Sequence, residues 1–205
     1  MSTDAKDQEK AAEVFREAIE LLETQEFDYA VGGGLATDHW TGGAEHIADI
    51  DLVIRKDDSD RLLKTFASAG YRVSKTEHSW LHKAFKDDAV TLDLMFELKN
   101  GTKFDDALRD HRQQGEMFGA TVYVMAPEDQ VTSLAGAVDR QTIGQHWYSM
   151  IDIMANNDLD WDYLISRSEQ VPFQMLSVIY YALSENVPVE KGVIERLAEL
   201  AATKS

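Results

Sequence analysis

FDYAVGGGLATDHWTGGAEHIADIDLVI, residues 27–54, holds a glycine turn and an acid pair between two apolar runs, and the architecture is inferred from it. Phe27-Asp28-Tyr29-Ala30-Val31 is a short apolar run that reads as a strand, and Gly32-Gly33-Gly34 stops it. Leu35 to Trp40 has the look of a helix start. Ile50 to Ile54 is apolar and rich in β-branched residues, as expected of a strand in the middle of a sheet. Asp49 and Asp51 stand at the entry of that strand. Residues i and i+2 of a strand face the same side, with backbones about 6.6 Å apart. Two carboxylates placed so repel each other, and a divalent cation is the usual way to offset the repulsion.

Outward from this segment, Ala11, Val14, Phe15, Ala18, Ile19 and Leu22 recur at helical spacing and predict an amphipathic helix from about Asp7 to Glu26. Asp57 to Ser68 reads as a capped helix with Leu62, Leu63 and Phe66 inward and Gly70 at its end. Tyr71-Arg72-Val73 is a brief strand. Trp80 to Phe85 and Ala89 to Phe96 flank Asp87-Asp88 as an antiparallel hairpin, and Asn100-Gly101 marks a turn. After Val122-Tyr123-Val124-Met125 the character changes. Pro127 suits a first helical position, with Glu128 and Asp129 in the acidic first turn. The pattern from there to Ser205 is helical, broken near Asn156-Asn157 and Val171-Pro172, with Leu183, Val193, Leu197 and Leu200 read as core. The expected class is α+β: a small mixed sheet flanked by helices over residues 1–125, followed by an all-helical region over 126–205.

Composition excludes several functions. Cysteine is absent, which removes disulfides, thiolate zinc sites and a cysteine nucleophile. The first thirty residues are too charged for a signal peptide, and no run approaches the ~18 apolar residues of a membrane span, so the expected compartment is the cytoplasm. A net charge of −17 opposes approach to a long nucleic acid and favours a small substrate, a divalent cation or a protein partner.

Asp93 is the one acid inside the apolar run Val90-Thr91-Leu92-Asp93-Leu94-Met95-Phe96. A buried lone carboxylate is costly without a partner. If its strand lies beside Ile50–Ile54, three carboxylates meet at one sheet edge and are placed to hold cations that bridge nucleotide phosphates. The string Asp-x-Asp alone says little, because 21 aspartates in 205 residues give about two such pairs by chance. Asp58-Ser59-Asp60 and Asp160-Trp161-Asp162 also fit it, but both stand at helix starts, where acids favour the positive end of the helix dipole. The glycines permit close backbone approach, and a following helix N-terminus offers N–H groups to phosphate oxygens; a plain turn is the alternative.

Val31-Gly32-Gly33-Gly34-Leu35-Ala36, then Ala48-Asp49-Ile50-Asp51-Leu52-Val53-Ile54, then Leu92-Asp93-Leu94 resemble the signature of the DNA polymerase β-like nucleotidyltransferase superfamily. Within it, the spacing is similar to the aminoglycoside-nucleotidyltransferase and abortive-infection-type branch. Met125-Ala126-Pro127-Glu128-Asp129, His146-Trp147-Tyr148 and Leu159-Asp160-Trp161-Asp162-Tyr163-Leu164 resemble that branch's helical segments, so the likeness covers about residues 27–165. It implies transfer of a nucleoside monophosphate from a nucleoside triphosphate (NTP), ATP among them, to a hydroxyl of a small molecule or protein, with Mg2+ or Mn2+. Asp49, Asp51 and Asp93 would be the catalytic residues and metal ligands, Asp93 also acting as general base. Gly33 and Gly34 would cradle the triphosphate. Apart from the resemblance, His46 stands just upstream of the acid pair and is a candidate contact to phosphate or substrate. A cationic acceptor such as an aminoglycoside suits the acidic chain.

The chain departs from the pattern at Ala48, Leu134 and Ser149, where relatives often carry a polar or charged residue. The alternative function is a non-catalytic or toxin–antitoxin-type module of the same fold that binds a protein. Other features read as structural. His46 has a surface imidazole as its alternative. His78 and His82 lie in loop and strand rather than on a helix, which argues against zinc. His39-Trp40 and His146-Trp147-Tyr148 are expected to pack in the core, with a pocket for a base or aromatic substrate as the alternative.

Overall fold

The computed structural model describes residues 3–43, 46–77, 80–86 and 90–204. His78 and the expected turn at Asp87-Asp88 lie outside them. The chain forms two compact units, Met1–Glu97 with Lys103–Met125 and Leu98–Thr102 with Ala126–Ser205.

The first unit runs α1 (Thr3–Thr24), β1 (Tyr29–Val31), α2 (Gly33–Thr41), β2 (Ile50–Ile54), a single 3-10 turn (Lys56–Asp58), α3 (Ser59–Ser68), β3 (Arg72–Lys75), β4 (Leu81–Lys86), β5 (Val90–Met95), α4 (Asp106–His111), β6 (Gln113–Met117) and β7 (Ala120–Val124). The described residues form a seven-stranded sheet in the order β3-β4-β5-β2-β1-β7-β6. It is mixed: β2 and β5 pair in parallel, as do β1 and β7, and the other neighbours are antiparallel.

Alternation along the strands separates the two faces. Ile50, Leu52 and Ile54 of β2 and Leu92 and Leu94 of β5 are buried in one core with Val14, Phe15, Ala18, Ile19 and Leu22 of α1 and Leu62, Leu63 and Phe66 of α3. Asp51, and with it Asp93 and Lys83, belong to the intervening positions and so to the opposite face. Central location keeps β2 and β5 apolar on the core side, which is why they read as strands.

Two elements had no clear signal. β6 is Gln113-Gln114-Gly115-Glu116-Met117, an edge strand with mostly exposed polar residues. Its partner β7 holds it through a two-residue turn at Phe118 (φ 50°) and Gly119 (φ 80°), the pair of left-handed residues that a tight hairpin requires. α4 is short and is capped by Asp105, which accepts a hydrogen bond from the Leu108 N–H at 2.8 Å.

The second unit contains α5 (Pro127–Ala137), α6 (Ile143–Asn156), α7 (Trp161–Arg167), α8 (Pro172–Ser184) and α9 (Val193–Ala202). Glu128 and Asp129 are buried rather than solvated. Glu128 accepts the Asp160 backbone N–H at 2.6 Å, and burial pushes its carboxyl above the usual range. Asp129 accepts from the Tyr163 hydroxyl and from Arg167, each at 2.7 Å, so both acids tie α5 to α7. The turn at Leu98–Thr102 joins this unit because Gly136 of α5 lets the Asn100 backbone approach; a Cβ there would come within 2.6 Å of its nitrogen.

Two expectations for the core fail here. Leu183 is 40% exposed and Tyr148 64% exposed, although Val193 and Leu197 are buried as read. Tyr148, Ile143, Trp147, Ile151 and Tyr181 instead line a surface hollow of about 250 Å³. Helical spacing places residues on one face but does not say whether another helix covers it.

The competing Asp-x-Asp pairs are structural. Asp58 pairs with Arg61 and Asp60 with Lys75. Asp160 caps α7, accepting the Tyr163 N–H at 2.9 Å, and Asp162 pairs with Arg196. Asp160→Ala is expected to cost about 1 kcal/mol, the usual worth of an N-cap, and a urea titration checks it.

Candidate active site

The site is built on one rung of the sheet. In the parallel pairing of β2 with β5, Asp51 lies opposite Asp93. In the antiparallel pairing of β4 with β5, Asp93 lies opposite Lys83. Residues in register on adjacent strands share a face, so Lys83, Asp93 and Asp51 form a row across three neighbouring strands. Asp49, in the segment leading into β2, joins the row from the same strand direction. One carboxylate oxygen of each of Asp49, Asp51 and Asp93 lies within 4.8 Å of the others.

The electrostatics follow from that crowding. The Asp51 carboxyl is pushed up to about 7, first by burial and then by the negative charges of Asp49 and Asp93, while Lys83 pulls it the other way. Lys83 Nζ donates to Asp93 Oδ1 at 2.6 Å, with 35% of the lysine side chain and 16% of the aspartate side chain exposed. Three carboxylates against one ammonium leave the cluster short of positive charge. Such an all-oxygen donor set suits a hard divalent cation, and the cluster is able to hold a metal ion.

The glycines divide by role. Gly33 opens α2 with φ +59°, and a Cβ on it would lie 1.7 Å from Asp51 Oδ2. Only glycine lets the helix start against that carboxylate. Gly32 is needed for packing: a Cβ would meet Met125 Sδ at 2.9 Å and Val53 Cγ2 at 3.3 Å. Around Gly34 nothing lies within 4 Å of a built Cβ, so its backbone faces open space. α2 is anchored at its far end by Trp40, whose indole N–H donates to the Met125 carbonyl at 2.9 Å.

Of the residues singled out from sequence, Asp49, Asp51, Asp93 and Gly33 come together. Gly34 follows Gly33 on α2, and His46 is exposed in the segment ahead of β2, outside the carboxylate cluster. His82 is buried on β4, its Nδ1 against the Leu81 carbonyl at 2.8 Å and its ring edge-on to Phe96. Lys83 is the residue that sequence reading missed. Its signal was weak: one lysine in a strand, ten positions before Asp93 across a hairpin, whose pairing only the register reveals.

Residues 2–185 match the protein family described as "Uncharacterised nucleotidyltransferase". No curated protein sequence matches the chain. Among solved structures, the fold is similar to the solution structure of the antibiotic-resistance factor ANT(2'')-Ia, with a TM-score of 0.60 at 17% identity over 87% of this chain and 97% of that one. It is also similar to an antigenic nucleotidyltransferase-like protein from Paracoccidioides brasiliensis, with a TM-score of 0.60 at 15% identity over 89% and 95% of the two chains. At these identities the likeness concerns the fold. Among the described residues no helix is long and apolar enough to cross a membrane. With a family match across nearly the whole chain, this protein belongs to the nucleotidyltransferase family and is an enzyme of that class.

Proposed function

We propose that the protein moves a nucleoside monophosphate from an NTP to a hydroxyl of a small molecule, in a reaction that depends on Mg2+ or Mn2+. The observation that carries this reading is the convergence of the three carboxylates beside the start of α2. Asp49, Asp51 and Asp93 are the metal ligands. A divalent cation bound there would neutralise phosphate charge and polarise the reacting oxygens.

The protein's own groups do the remaining work. The α2 N-terminus, with Gly33 and Gly34, binds phosphate oxygens through backbone N–H groups, and the missing Cβ at Gly34 leaves room for close approach. His46 lies near enough in sequence to Asp49 to serve as a phosphate contact. Asp93 orients the acceptor hydroxyl and takes its proton as the oxygen bonds to the α-phosphorus and the α–β phosphoanhydride bond breaks, with pyrophosphate leaving. A cationic acceptor suits a chain of net charge −17, and the fold shared with an antibiotic-resistance factor supports a small molecule. The two units act as domains, the sheet unit carrying the nucleotide and metal.

Magnesium with an NTP is expected to raise the melting temperature by about 5–10 °C when the nucleotide is near 100 times its dissociation constant. Asp49→Asn is expected to remove that shift. Differential scanning fluorimetry with each NTP reads this directly, and absence of any shift in the wild type overturns the proposal. Label transfer from each radiolabelled NTP into a cell extract then identifies the acceptor.

A further inference from the structure

Among the described residues, Lys83 places a cation at the carboxylate cluster. It is borne on β4, directly opposite Asp93, with a 2.6 Å contact between Nζ and Oδ1. One third of its side chain is exposed, so the ammonium can reach both the cluster and the space in front of it. A lysine is also a compact point charge on a flexible four-carbon stem, which lets it exchange one anionic partner for another.

We propose that Lys83 is a displaceable counter-ion: it neutralises Asp93 in the ligand-free protein, yields that carboxylate to the divalent cation, and then binds the triphosphate. This rests on the metal reading of the triad given above. A metal ion taken up by Asp93 competes with the ammonium held at 2.6 Å on Oδ1, because both cations are drawn to one carboxylate and repel each other at that range. The displaced ammonium stays on its strand, a side-chain length from Asp93. The nearest new anion is the polyphosphate that the metal brings. A chain of net charge −17 otherwise repels a triphosphate, so a cation stationed at the site has a binding role that its surface cannot supply.

The inference requires Lys83 to act with opposite sign on the two ligands, which a purely structural lysine would not do. Mn2+ alone, titrated by calorimetry, is expected to bind Lys83→Met about 3–10-fold more tightly than wild type, since its competitor is gone. Inorganic tripolyphosphate at saturating Mg2+, which tests the phosphates without any base, is expected to bind the same variant at least about 10-fold more weakly, as loss of a charged hydrogen bond implies. Lys83→Arg keeps the charge and holds Asp93 by a forked contact, so it should bind tripolyphosphate within about threefold of wild type and Mn2+ more weakly. If Lys83→Met proves unstable, the arginine variant alone decides, because tighter Mn2+ binding there contradicts displacement. Wild-type protein that takes up Mn2+ while Lys83→Met binds it no tighter overturns this inference alone. Wild-type protein that takes up no Mn2+ overturns the metal reading and this inference with it.

Discussion

Asp51→Asn is expected to lower kcat by roughly 10³-fold, the scale seen when one preorganised electrostatic group is removed from a reaction centre, while making the ligand-free protein more stable. The two signs have one cause. Burial and the neighbouring charges of Asp49 and Asp93 raise the Asp51 carboxyl to about 7 in the folded protein, against 3.8 in its ordinary state. Between those values the folded state holds a proton that the unfolded state has lost. Stability therefore falls as pH rises through this window and the loss is complete above about pH 7. The cost of keeping Asp51 ionised is on the order of 4 kcal/mol. Asn is nearly isosteric and uncharged, so the variant should melt several degrees higher than wild type at pH 8 and at the same temperature near pH 4. Thermal melts of both proteins across that range, without divalent cations, check the prediction. A variant that loses activity and also melts lower at pH 8 would mean that the carboxylate supports the fold instead of opposing it.

Gly33→Ala should be the most damaging single-methyl change in the sheet unit. The residue is held at φ +59°, a region that costs an L-residue roughly 1–2 kcal/mol, and the new Cβ would sit 1.7 Å from Asp51 Oδ2. Either the start of α2 or the carboxylate must move. A loss of stability of about 3 kcal/mol or more is expected, together with loss of Mn2+ binding. Gly34→Ala is the control from the next position. With nothing within 4 Å of its Cβ, it should leave stability unchanged or raise it slightly, since alanine favours a helix over glycine. It should still raise KM for the NTP several-fold by filling the space left for phosphate. Urea denaturation and steady-state kinetics on the pair separate packing from ligand contact. Equal effects at both positions would show that the glycines serve only a turn.

Much of the sheet unit was readable because its strands announce themselves locally. Ile50–Ile54 and Val90–Met95 are apolar runs interrupted by one acid each, and a carboxylate in such a run needs a reason. Asp58 and Asp160 were separable from Asp49 and Asp51 for an equally local reason, since each begins a helix and finds its partner within three residues. β6 escaped notice because an edge strand has no buried face to impose alternation on Gln113–Met117. Leu183 and Tyr148 were misjudged because apolar spacing on a helix does not tell which side a neighbour covers. Glu128 and Asp129 looked like ordinary first-turn acids, and only the packing of α7 shows them buried and hydrogen-bonded.

By itself the sequence determined which residues could carry the chemistry: a glycine turn, an acid pair entering one strand and a third acid inside another. Periodicities of two and 3.6 residues and the φ freedom of glycine are properties of neighbouring residues, so they are written locally. Tertiary structure decided that these groups meet. The register of β2 on β5 sets Asp51 against Asp93, and that of β4 on β5 adds Lys83. A slip of one residue in either pairing would turn a whole strand's side chains to the other face. That choice depends on the buried core beneath the sheet, built from α1, α3 and both central strands, and no single segment contains it.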